Sequence, residues 1–77
     1  MLDLHPRQIE FLRLVVEDIT YQEIADRMFV SKRTVDGYAE DLLFQFNLRS
    51  RIGLIRFSVS HGIGVIPILA PASSALL

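Results

Sequence analysis

Four segments of this chain carry apolar residues at the three-and-four spacing of an amphipathic helix, and none alternates as a half-buried strand does. Pro6 suits a first helical position, because its missing N–H has no partner to lose there and its φ is preset. His5 then takes the N-cap place, with Gln8 reaching back as in a capping box. Phe11, Leu12, Val15 and Val16 form the apolar stripe of this helix, predicted over about residues 6–17. Glu17 and Asp18 oppose the dipole at its end, so Asp18 is expected as a turn residue able to adopt positive φ. A second helix, about 21–28, opens with Thr20 as cap and Glu23 as its reciprocal partner, and Ile24, Ala25 and Met28 share one face. After the short apolar break Phe29-Val30, Ser31 caps a third helix over about 32–46. Val35, Tyr38, Leu42 and Phe46 form its stripe, and Asn47 supplies a left-handed stop. Ser50 caps a fourth helix over about 50–61, which ends at Gly62 and Gly64.

The fold class is therefore all-α: a four-helix bundle over residues 1–62, followed by an apolar C-terminal tail over 63–77. Only one small core fits in 77 residues, and the absence of cysteine excludes disulfide staples and thiolate metal sites. His5 and His61 lie without metal-ligand spacing, so no metal and no cofactor are expected. No Ser-His-Asp or Cys-His set, glycine-rich phosphate loop or carboxylate pair in a pocket motif is present, which argues against an enzyme. A cytoplasmic, non-membrane protein is expected, because the amino terminus lacks a basic-then-apolar leader and the tail, broken by Pro67 and Pro71, is too short to span a bilayer. The net charge of -1 means that any attraction to a polyanion must come from the local placement of a few cations.

Such a placement exists. Two helices joined by a few residues, the second opening Ser31-Lys32-Arg33-Thr34-Val35, have the geometry of a helix-turn-helix. Ala25 is small enough for a close helix crossing, Ile24, Met28 and Val30 grip the turn, and Val35 and Tyr38 face inward. The outer face of the third helix is then free to enter a major groove, with its first amides, Lys32, Arg33 and Thr34 suited to phosphate oxygens. Residues Leu4 to Gly62 resemble the DNA-binding domain of the LuxR family, also called the NarL/FixJ type. The matching positions are Pro6-Arg7, Leu12, Glu23-Ile24-Ala25, Ser31, Thr34-Val35 and Ser50-Arg51. The resemblance implies a four-helix bundle whose third helix reads duplex DNA. It also implies a transcription-regulating output domain, often of a two-component response regulator with its receiver or sensor domain outside this chain, and a homodimer formed through helix four.

The chain departs from that pattern on the third helix, where Asp36, Gly37, Glu40 and Asp41 stand at positions often basic or amide in the family. Phe44 and Gln45 replace further basic positions, Tyr38 replaces a histidine and Asn47 a glycine. Gly37 weakens a helix interior by up to about 1 kcal/mol relative to alanine, so its expected benefit is close backbone approach to a ligand. Asp36 and Glu40 face outward, where a carboxylate can accept from a cytosine amino group. Tyr21 and Gln22, at the start of helix two, are candidates for phosphate contact. Arg51 opposes the dipole of helix four, which suggests an external anion. With Ile52, Ile55 and Val59 assigned to the core, Leu54 and Phe57 point outward and become the candidate dimer interface. The tail is read either as an extension of that interface or as a segment that folds back over its own core or is disordered. The alternative to DNA binding is a protein-interaction module that kept the fold, a reading motivated by the acidic third helix.

Overall fold

The structure, a computed structural model, describes residues 3–65. They form α1 (Pro6–Val15), α2 (Tyr21–Met28), α3 (Lys32–Gln45) and α4 (Arg51–Ser60), with no strand among the described residues. α1 lies against all three other helices, and α3 packs most extensively on α2. Phe11, Leu12 and Val15 of α1 meet Ile24, Ala25 and Met28 of α2, Val35, Ala39 and Leu42 of α3, and Leu54 and Phe57 of α4 in one core. Removing these side chains from water is the main favourable contribution to folding, at roughly 1.5–3 kcal/mol for each large aliphatic or aromatic one.

The helix starts follow from local chemistry. The Arg7 N–H donates to His5 Nδ1 (3.1 Å), and the His5 N–H donates to Gln8 Oε1 (3.0 Å), which completes the capping box of α1. α1 stops at Val15, two residues before the predicted end, because the chain tightens into turns in which Glu17 N–H donates to Leu14 O (3.0 Å) and Ile19 N–H to Glu17 O (2.9 Å). Asp18 does not adopt the expected positive φ. Among the described residues the left-handed positions are Phe29 (φ 59°), Asn47 (φ 55°) and Gly62 (φ 70°). Ser50 occupies the N-cap position of α4 but makes no side-chain cap bond.

The phase of α4 corrects the sequence reading. Leu54 is fully buried and Phe57 is 8% exposed, whereas Ile52 is 64% exposed and Val59 also faces solvent. Two stripes compete on this segment, 52-55-59 and 54-57-58, and the second takes the core, although half-buried Ile55 of the first also packs against it as expected. Phe57 packs its ring 4.3 Å from both Phe46 and His61, and buried Ser58 donates from its hydroxyl to Leu12 O at 2.7 Å. A small residue at 58 lets α4 approach α1 closely, and the hydrogen bond removes the penalty of burying its polar atom. Past α4 the chain turns back on α1. A Cβ at Gly64 would stand 2.7 Å from Ser58 Oγ and 3.0 Å from Val16 Cγ1, so only glycine fits. Ile63 packs on the core and Val65 is exposed. The expectations for the rest of the tail, 66–77, lie outside the described residues.

Candidate nucleic-acid interface

α2, a short turn and α3 form the unit that the sequence singled out. Thr20 Oγ1 accepts from Glu23 N–H (3.1 Å) and Glu23 Oε1 accepts from Thr20 N–H (3.2 Å), so α2 begins with a reciprocal cap. It ends at Phe29, whose left-handed backbone lets Val30 N–H donate to Ala25 O at 3.0 Å. An L-residue with a bulky side chain is strained in that region, and the Phe29 ring is 93% exposed, so nothing inside the described fold compensates. From α1, Arg7 Nη1 donates to Met28 O (3.3 Å) while paired with Glu10 (3.1 Å), which ties the end of α2 to the first helix. Sequence reasoning missed this brace, because its partner lies 21 residues away.

Ser31 then starts α3. Its Oγ accepts from Thr34 N–H (3.2 Å) and shares a hydrogen bond with Thr34 Oγ1 (3.0 Å). The Thr34 hydroxyl thus serves its own helix, the structural role expected for a threonine in a first turn. With Val35, Ala39 and Leu42 buried, the outward ridge of α3 runs through Arg33, Gly37, Glu40 and Phe44 at helical spacing. Arg33, Glu40 and Phe44 are exposed, Phe44 by 90%. A Cβ at Gly37 would meet nothing within 4 Å, so the fold itself does not require glycine there.

The charges on this face are not equivalent. Lys32 Nζ lies 3.0 Å from Asp36 Oδ2, an exposed i,i+4 pair whose two charges largely cancel. Arg33, Glu40 and Asp41 have no ion-pair partner among the described residues. Gln22 is exposed and donates from Nε2 to Asp26 Oδ1 (3.1 Å) on its own helix.

Arg51 and Tyr21 are explained from within the chain. Arg51 Nη2 donates to Val15 O (3.2 Å), the last carbonyl of α1, and to Glu17 O (2.8 Å) in the turn that follows it, and its guanidinium lies 5.2 Å from the centre of the Tyr21 ring. This corrects the external-anion reading: the cation at the start of α4 is held by the negative end of another helix. Tyr21 also meets Phe11 edge-on at 5.9 Å. Burial pushes its phenol pKa up, Arg51 opposes that shift, and the Asp36 carboxylate adds to it. The structure therefore gathers Lys32, Arg33, Thr34, Asp36, Gly37 and Glu40 on α3, and turns Arg51 and half-buried Tyr21 inward as a brace.

A cap-started helix crossing a shorter one, with its outer ridge uncovered, defines the helix-turn-helix class. Residues 3–58 match the family model described as bacterial regulatory proteins, luxR family. The chain belongs to that family, whose domain is a DNA-binding transcriptional-regulator module and not an enzyme. It is 36% identical over 62 residues to response regulator Rre1 of Synechocystis sp., covering 80% of this chain and 27% of that protein. It is 35% identical over 63 residues to the probable transcriptional regulator ycf29 of Porphyra purpurea, covering 82% and 30%. With the oxygen regulatory protein NreC of Staphylococcus carnosus the identity is 30% over 56 residues, covering 73% and 26%. The chain thus spans less than a third of the length of these curated relatives. No solved structure matches it significantly. No helix among the described residues is long and apolar enough to cross a membrane.

Proposed function

We propose that this domain binds duplex DNA sequence-specifically, as the output domain of a two-component response regulator, with α3 in the major groove. The observation that carries this reading is the uncovered ridge of α3 beginning at Arg33, a cation with no ion-pair partner among the described residues, beside the free amides of a helix start. Arg33 and those amides contact phosphates, and Gly37 and Glu40 lie over base edges. Gln22, at the exposed start of α2, faces the flanking backbone. Two copies pair through the outward stripe of α4, which consists of Ile52 and Val59 in place of the buried Leu54 and Phe57. Resemblance to response regulators supports a receiver domain as the partner that controls pairing.

The test is binding of duplex DNA over a range of salt concentrations. Arg33→Ala lowers affinity on every sequence and reduces the slope of log K against log salt by about 0.9, the value for one phosphate no longer neutralised. An unchanged affinity and slope overturns the docking. The exposed Phe29 and Phe44 and the acidic face of α3 favour one other reading, a protein-interaction module. Failure of the wild-type domain to shift any duplex at low salt selects that alternative.

A further inference from the structure

The three carboxylates of α3 have different surroundings, and the difference singles out Glu40. Asp36 is neutralised by Lys32 at 3.0 Å, and Asp41, exposed and without an ion pair among the described residues like Glu40, is one residue off the line Arg33-Gly37-Glu40-Phe44. Glu40 lies two turns beyond Arg33 on the same outward ridge, about 10.5 Å along the axis at 1.5 Å per residue. That separation is roughly three base steps of 3.4 Å. Between them stands Gly37, around which a Cβ would meet nothing within 4 Å, so no side chain holds the ridge away from a groove floor.

An ionised carboxylate only accepts hydrogen bonds. In the major groove the base-edge donors are the amino groups of cytosine and adenine. Adenine sets its N7 acceptor beside its donor, and guanine and thymine present acceptor oxygens to an approaching ligand. Cytosine N4 is therefore the partner that leaves the Glu40 carboxylate satisfied. At guanine or thymine the charge meets no donor, and at adenine the N7 acceptor beside the amino group repels the second carboxylate oxygen, which penalises wrong sites more than the contact rewards the right one.

We propose that Glu40 is a specificity-determining residue, accepting a hydrogen bond from the N4 amino group of a cytosine and requiring that base at one position of each half-site. This rests on the DNA-binding reading above. It gives the acidic helix a purpose: binding to arbitrary duplex is weakened, and the ratio of specific to non-specific affinity rises.

The test is selection from random duplexes by the full chain and by Glu40→Gln and Glu40→Ala, followed by binding to the enriched site and its single-base variants. The wild type enriches sites with one fixed cytosine, and replacing that C·G pair lowers affinity about 5- to 150-fold. Glu40→Gln moves the preference at that position to adenine, whose N6 and N7 match an amide. Glu40→Ala makes the position degenerate and raises affinity for unrelated duplex. The Glu40 side chain is exposed, so unchanged helical circular dichroism is expected in both variants. If both variants keep the wild-type preference, the assignment to Glu40 is overturned while DNA binding stands. If the wild type enriches no site at all, the DNA-binding reading fails and this proposal with it.

Discussion

Replacing Gly37 with alanine separates the stability of α3 from its use. The position is interior to a helix running Lys32–Gln45, where alanine is favoured over glycine by about 0.5–1 kcal/mol. Nothing lies within 4 Å of the added Cβ, so no steric penalty offsets that gain. In a domain of this size a change of 1 kcal/mol moves Tm by about 4–8 °C, which predicts a rise of about 2–8 °C for Gly37→Ala. The same methyl group stands on the ridge between Arg33 and Glu40, so duplex affinity falls several-fold although the fold is more stable. Thermal melts followed by circular dichroism and fluorescence anisotropy with a labelled duplex read the two effects separately. A lowered Tm contradicts the open surroundings of Gly37. A raised Tm with undiminished affinity shows that the helix backbone makes no close approach there.

Other outcomes follow from named contacts. Phe29→Asn relieves the left-handed strain of an exposed aromatic and stabilises the domain by about 1 kcal/mol, checked by urea denaturation. Leu54→Ala costs about 2–5 kcal/mol because the side chain is fully buried. Ile52→Ala leaves monomer stability nearly unchanged and weakens self-association in sedimentation; the reverse pattern contradicts the observed phase of α4. The raised Tyr21 pKa, caused first by burial, means that its neutral phenol contributes stability fully present below the unfolded pKa of about 10. That contribution is lost as pH rises through the higher folded value. Tyr21→Phe therefore flattens the alkaline side of the stability profile, and an unchanged profile removes Tyr21 as a source of the loss.

The parts legible in the sequence are those specified by neighbours along the chain. Thr20 with Glu23, and Ser31 with the amides that follow it, mark helix starts within three residues, and both form as expected. Asn47 is readable as a left-handed stop because its short amide tolerates that conformation. The orientation of α4 is not readable, since two stripes have helical spacing and the choice between them depends on Ser58 meeting Leu12, 46 residues away. Arg51 misleads for the same reason: its carbonyl partners lie 34 and 36 residues earlier, so only its misfit with its own helix dipole is visible. Phe44 could be found by counting along the ridge from Arg33. Phe29 could not, because an aromatic residue carries no signal for positive φ.

Everything proposed for this domain requires that the outward ridge of α3 be the surface that meets duplex DNA. Amide chemical shifts of the full chain, titrated with an enriched duplex, test it directly. The largest changes are predicted from Ser31 through Glu40, with small changes at the buried residues Phe11, Leu12 and Val15. Changes concentrated around Ile52 and Val59 with a silent α3 contradict it.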